Sequence, residues 1–419
     1  MRALLTVFVA VLSLLTIGNS VFFAAPVNVE FWFHTSNVQE TDAMAALVEK
    51  FNKENVDVQV ELVNVAAASK AEFQEKLMTA IVGNVAPDLV YADPQLISEW
   101  GPAKGMFIPI NKIAPVHLLE ADDIMPAAKQ VLYVRGVWWG LPFRTDSRGL
   151  FYNVDMAEKA GLDPSKPPKT ISELDLWAQK LTIRDPMSNT YQQLGFFPYK
   201  HNDASGLLYL WMFGGEFFDW DALRPTLTKY PANLQATRWI QSYAERYGNL
   251  SPKSTDFINE LHAMRIDSTS ALASYPIQKP ALRFLIGEIP VLEGQQPVTL
   301  TAGVSLGIPT GAKNPEAAFK FGLYLLSTDT QLAWWESARS LPVRLSAIRR
   351  MGSRVYDRRE LVLVQLLPYG KTTPPMGNVI RDAFDKYQVQ LRALTMTPEQ
   401  VLQEAQREAE LAYEETFPL

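Results

Sequence analysis

The sequence predicts an α/β protein of two domains. Three observations carry this reading. The 419 residues exceed what one ordinary core organises. Hydrophobic residues at 47% and charged residues at 20% form a normal globular balance, which argues against extended disorder. From residue 27 onward, strand-like and helix-like hydrophobic periods alternate.

The chain opens on a leader. Arg2 precedes an apolar run from Ala3 to Ile17, and Ala24-Ala25-Pro26 closes the segment with small residues. That is the tripartite form of a secretory signal peptide, so residues 1–25 are expected to be removed and the protein to be periplasmic or otherwise extracytoplasmic. The run is short for a membrane span.

Val27, Val29, Phe31 and Phe33 then alternate with polar or amphipathic neighbours, as in a strand. Met44, Leu47, Val48 and Phe51 fall on one helical face. Val56, Val58, Val60 and Leu62 mark a second strand. Phe73, Leu77 and Ile81 mark a second helix, ended at Gly83-Asn84, and Leu89-Val90-Tyr91 a third strand. This β-α-β-α-β order implies parallel pairing through crossover helices. The middle third is rich in aromatics, Trp177, Trp211, Phe217 and Trp220 among them. Thr170-Ile171-Ser172-Glu173 and Thr397-Pro398-Glu399-Gln400 are capping boxes that open helices. Pro315 to Leu326 reads as another helix.

A net charge of −6 disfavours nucleic acid and anionic membranes, which reward a basic face. With no cysteine there are no disulfides, thiolate chemistry or cysteine metal sites. Gly303-Val304-Ser305-Leu306-Gly307 matches a nucleophile-elbow pattern, but Ile308-Pro309 follows at once and all four histidines precede Ser305. Gly370-Lys371-Thr372 imitates the end of a phosphate loop, yet Gln365 replaces its first glycine and Pro374-Pro375 blocks the helix; it reads as a turn. The histidines lack metal-ligand spacing, and no cofactor is expected.

An ordered series of landmarks carries a resemblance over nearly the whole mature chain. They are the strand-helix-strand opening from Val29 to Val63, then Lys76 to Gly83 leading to Ala86-Pro87-Asp88-Leu89-Val90. Gly140-Leu141-Pro142-Phe143, Leu150-Phe151-Tyr152-Asn153 and Pro167-Pro168-Lys169-Thr170 follow. Asn314 to Phe321, Ser340 to Arg344 and the tail from Thr397 complete the series. The chain resembles extracellular solute-binding proteins of ABC importers, the group that includes maltose-binding and glycerol-phosphate-binding proteins. Ile266 to Leu272 departs from a Gly-Lys-Ala-Ala-Met-like element of that group, which loosens the alignment at Tyr275.

The resemblance implies a two-lobed periplasmic-binding-protein-like fold with discontinuous domains and a hinge cleft. Residues 26–145 and 306–340 would form the first lobe, 146–305 and 341–419 the second. Crossings would fall near 143–146, 300–307 and 339–346. It also implies a monomer that closes on a sugar or polyol and docks on a membrane permease. Open α/β sheets bind ligands beyond the carboxyl ends of their strands. This singles out His34, Thr35 and Ser36 after the first strand, and Tyr91 and Asp93 after the third. Asp93 precedes Pro94, which equally suits a helix cap. The resemblance adds Asp146 as an acidic ligand contact and Arg381 on the last segment. Trp211 and Tyr275 offer flat faces for sugar C–H groups, and His201 and Asn202 polar contacts. Convergence of Arg144, Arg148 and Arg381 would favour an anionic ligand such as a phosphorylated polyol. An exported carbohydrate-active enzyme and a surface receptor on the same fold are the alternatives from other classes.

Overall fold

The computed structural model describes residues 25–185, 187, 190–198, 206–253 and 255–417. Strand β1 (Val27–Phe33) leads into helix α1 (Val38–Glu54), β2 (Val58–Asn64), α2 (Lys70–Val82), β3 (Leu89–Ala92) and α3 (Pro94–Lys104). The alternation seen in the sequence places Val29, Phe31 and Phe33 in the core, and α1 covers them with Met44, Leu47, Val48 and Phe51. β1 pairs in parallel with β2 and with β3; Phe31 lies opposite Leu62 on one side and Leu89 on the other.

Later strands complete this sheet and build two others. They are β4 (Leu141–Thr145), β5 (Arg148–Asn153), β6 (Met264–Ser268), β7 (Phe284–Gly287), β8 (Thr299–Leu300), β9 (Gly303–Gly307), β10 (Leu341–Pro342) and β11 (Gly370–Lys371). The six-stranded sheet has the order β10-β4-β9-β3-β1-β2, with β9 antiparallel to both β3 and β4. A second sheet, β6-β5-β7, is antiparallel. β8 and β11 form a parallel pair beside it, so Gly370-Lys371 is a short strand where the sequence suggested a turn.

Each sheet anchors its own core. Phe31, Phe51, Phe143, Phe321 and Trp334 pack around the first. The aromatic middle third fills the second lobe, where Trp177, Phe196, Trp239, Tyr243 and Phe384 form one cluster. Both capping boxes are formed, at Thr170 with Glu173 and at Thr397 with Gln400. Helix Pro315–Leu326 has the bounds read from the sequence.

The chain leaves β4 in the first sheet and enters β5 in the second across Asp146 and Ser147. It returns from β8 to β9 across Thr301 and Ala302. Thr145 Oγ1 and Asp146 N–H both donate to the Ala302 carbonyl, so these two crossings are bonded side by side. Strand pairing puts Gly303–Ser305 and Leu341–Pro342 in the first sheet, whereas the sequence reading had placed both in the second lobe. The third passage is drawn out: helix Leu345–Gly352 still packs Ala347 against Trp335, while Leu363 of helix Arg358–Leu366 packs with Phe151 and Phe284.

Candidate functional site

Two adjoining cavities open at the carboxyl ends of β1 and β3, the position expected for an α/β sheet. The first, of about 330 Å³, is lined by His34, Thr35, Ser36, Lys70, Tyr91, Asp93 and Arg144. The second, of about 430 Å³, is lined by Lys70, Asp93, Gln95, Trp100 and Glu99 from the first lobe and by Arg148, Thr373, Asn378 and Arg381 from the second. Lys70, Gln74, Asp93 and Leu96 belong to both walls, so the two form one cleft between the lobes.

β1 ends where its polar residues begin, and this delivers His34, Thr35 and Ser36 to the first cavity. His34 Nδ1 contacts the Val65 carbonyl at 3.1 Å. A carbonyl only accepts, so Nδ1 carries a proton and donates this bond. The ring stacks on Phe73 at 5.3 Å, which fixes its plane.

Beneath this wall lies the buried carboxylate of Glu40 in the first turn of α1. Its Oε2 accepts from Thr35 Oγ1 at 2.9 Å and from the Tyr91 hydroxyl at 3.4 Å. Its Oε1 accepts from Ser340 Oγ at 3.0 Å and faces Arg144 Nε at 3.3 Å. Arg144 Nε also donates to the Tyr91 oxygen at 2.6 Å. Burial holds the Tyr91 phenol far above its usual range; Arg144 opposes this and Glu40 adds to it. Tyr91 therefore stays neutral and donates to Glu40. Glu40 gave no signal in the sequence, because its partners lie up to 300 residues away.

Asp93 stands at the N-cap of α3, yet its side chain makes no cap hydrogen bond. Its Oδ1 accepts from Lys70 Nζ at 3.2 Å, and the carboxylate faces both cavities. Asp146 lines neither cavity. Its Oδ1 accepts from Arg148 Nη1 at 2.5 Å and from the Ala302 N–H at 2.6 Å, so it clips the two crossings together. Arg148 also donates to the Leu300 carbonyl at 3.1 Å and reaches the second cavity. Arg381 is in that wall as expected, with Nε donating to Asp382 Oδ1 at 2.9 Å.

The expected aromatic platforms sit elsewhere. Trp211 is buried, stacked on Phe217 at 4.8 Å, with its indole N–H on Glu216. Tyr275 is buried among Phe151, Phe257 and Phe284, and its hydroxyl donates to Asp267. Neither lines the two cavities; core packing claims both. His201 and Asn202 lie outside the described residues. The residues the sequence did not offer, Lys70, Gln95, Thr373 and Asn378, come from helix starts and a loop with no local motif. An apolar wall of Leu96 and Trp100 beside carboxylates, amides and hydroxyls suits a ligand with C–H faces and many hydroxyls.

Residues 36–332 match the family described as bacterial extracellular solute-binding protein. The sn-glycerol-3-phosphate-binding periplasmic protein UgpB of Agrobacterium fabrum is 24% identical over 383 residues, 83% of this chain and 81% of that protein. The structure of CpMnBP1 with mannobiose bound superposes with a TM-score of 0.71 at 26% identity, covering 92% of this chain and all of the other. The cyclic alpha-maltosyl-1,6-maltose binding protein of Arthrobacter globiformis superposes with a TM-score of 0.80 at 20% identity, over 93% of this chain and 100% of that one. Such likeness shows the same two-lobed fold, and with the family match over most of its length, the chain belongs to the bacterial extracellular solute-binding proteins.

Proposed function

We propose that this protein is the capture subunit of an ABC importer, holding a sugar or polyol between its lobes by hinge closure and presenting it to a membrane permease. The observation that carries this is the cleft itself. Polar residues from both lobes face one space, and the chain crosses beside it through two short bonded segments. A ligand touching both walls favours the closed arrangement by its differential contacts. His34, Thr35, Ser36, Asp93 and Arg381 are the proposed ligand contacts, with Tyr91 and Arg144 behind them.

The capture role is non-catalytic and the working unit is a monomer exported by its leader. The lobes are proposed as 26–145 with 303–352, and the remainder of the mature chain. The name of the A. fabrum relative favours a second reading, a phosphorylated polyol in the same cleft.

Thermal denaturation of residues 26–419 against mono- and disaccharides, polyols and their phosphates tests the reading. A ligand bound only by the native state raises Tm with its concentration over Kd. The expected result is a shift from a small set of related compounds, each recovered chemically unchanged. Shortened oligosaccharides in the recovered material would instead mark an enzyme.

A further inference from the structure

We propose that the cleft selects uncharged polyhydroxyl ligands against phosphorylated ones, with Asp93 and Asp146 as the residues that set this preference. The inference rests on the capture reading above and narrows its ligand class. Among the described residues, the Lys and Arg side chains lining the two cavities are Lys70, Arg144, Arg148 and Arg381. Each already has a carboxylate. Lys70 pairs with Asp93 at 3.2 Å, Arg144 with Glu40 at 3.3 Å, Arg148 with Asp146 at 2.5 Å and Arg381 with Asp382 at 2.9 Å. The remaining lining carboxylate, Glu99, pairs with Lys104 at 3.1 Å. Within the lining itself four cations meet two carboxylates, Asp93 and Glu99; the balance is made by Glu40, Asp146 and Asp382, which line neither cavity.

A phosphate ester gains most from an arginine fork that meets two of its oxygens. Two of the three lining arginines are held elsewhere. The Arg148 side chain is 4% exposed and divides its donors between Asp146 and the Leu300 carbonyl. Turning it to a phosphate would strand Asp146 beside an incoming anion. Arg144 is bound to Glu40 and the Tyr91 oxygen, and Glu40 is 5% exposed. Lys70 is the exposed partner of its pair, but Asp93 faces both cavities and would repel a dianion. The first turn of helix Gly377–Arg392 borders the second cavity and by itself favours an anion. That attraction fades within a turn and is small beside a displaced buried pair. Neutral hydroxyls need no pair to break. They donate to the remaining lone pairs of the carboxylates and accept from the remaining N–H groups.

The test is isothermal titration of residues 26–419 with mannobiose, maltose and glycerol, and with sn-glycerol 3-phosphate and glucose 6-phosphate. Wild type, Asp93→Asn and the Asp93→Asn/Asp146→Asn double variant are compared at low and high salt. Wild type is expected to bind at least one neutral probe about 100-fold or more tighter than either phosphate ester, a free-energy gap typical of one misplaced charge. Asp93→Asn leaves the Asp146 clip in place and should narrow that ratio by about tenfold, more at low salt than at high. The double variant should narrow it further. Preference of wild type for a phosphate ester overturns the inference and leaves the capture reading standing. An unchanged ratio in variants that melt cooperatively also overturns it. Silence of wild type toward every probe, neutral and charged, defeats the capture reading and this inference with it.

Discussion

The Gln95 amide donates to the Thr373 hydroxyl at 2.7 Å, from the start of α3 in one lobe to the loop before helix Gly377–Arg392 in the other. Both residues line the second cavity. A bond that exists only when the lobes are together adds to the closed state alone. Gln95→Ala should therefore remove about 1 kcal/mol from closure and weaken ligand binding about fivefold. Thr373→Ala should do the same, and the double variant should cost no more than either single change. Titration calorimetry on the three variants gives the cycle.

Glu40 joins the cavity wall to the approach of β10, through Thr35, Tyr91, Arg144 and Ser340. Glu40→Ala strands the Arg144 guanidinium and leaves three hydroxyls to find new partners. The expected cost is about 3 kcal/mol of stability, near the lower end for breaking a buried pair because Arg144 keeps some solvent contact. Urea denaturation measures it. Ser340→Ala removes one donor of four and should cost about 1 kcal/mol.

Tyr275 separates packing from binding. Its ring fills the cluster of Phe151, Phe257 and Phe284, and burial pushes its phenol far above the usual range, with Asp267 adding to the effect. Tyr275→Phe keeps the ring and should lower stability by about 1 kcal/mol through the lost bond to Asp267. Ligand affinity should stay within error of wild type, read by calorimetry on the same sample. A clear loss of affinity without loss of stability would return Tyr275 to the ligand site.

His262 makes the fold sensitive to acid. Burial depresses its pKa from 6.5 to about 4, with Asp256 opposing and Arg265 adding to the depression. The unfolded chain therefore binds the extra proton first as pH falls. The stability tied to neutral His262 is present above pH 6.5 and is lost progressively from there toward pH 4. Between pH 7.5 and pH 5 the loss attributable to this residue should be about 2 kcal/mol. Urea titrations of wild type and His262→Gln check it; the variant should lack that part of the slope.

Much of the first lobe was legible because period reports burial directly. The alternation over 27–33 and the one-sided face of Met44 to Phe51 became β1 and α1, with the expected side chains inside except Val27, which is exposed at the start of the strand. The ends of β1 and β3 therefore led to His34, Thr35, Ser36, Tyr91 and Asp93, all of which line the cleft. What the sequence hid depends on long-range closure. Gln95 meets Thr373 over a separation of 278 residues, and Asp146 meets Ala302 over 156. Aromatic residues misled for a simple reason. Trp211 and Tyr275 carry the same rings whether they face a sugar or a neighbouring phenylalanine, and here they face Phe217 and Phe257.

Capture in this cleft requires ligand to lie between the lobes and touch both. Hydrogen–deuterium exchange, with and without a saturating ligand from the neutral panel, tests it most directly. Slowed exchange is expected together at 34–36, 91–95 and 373–381, with the hinge segments 145–148 and 300–304 also affected. Protection confined to one lobe, or centred on the helix 269–278 around Tyr275, would contradict capture in this cleft.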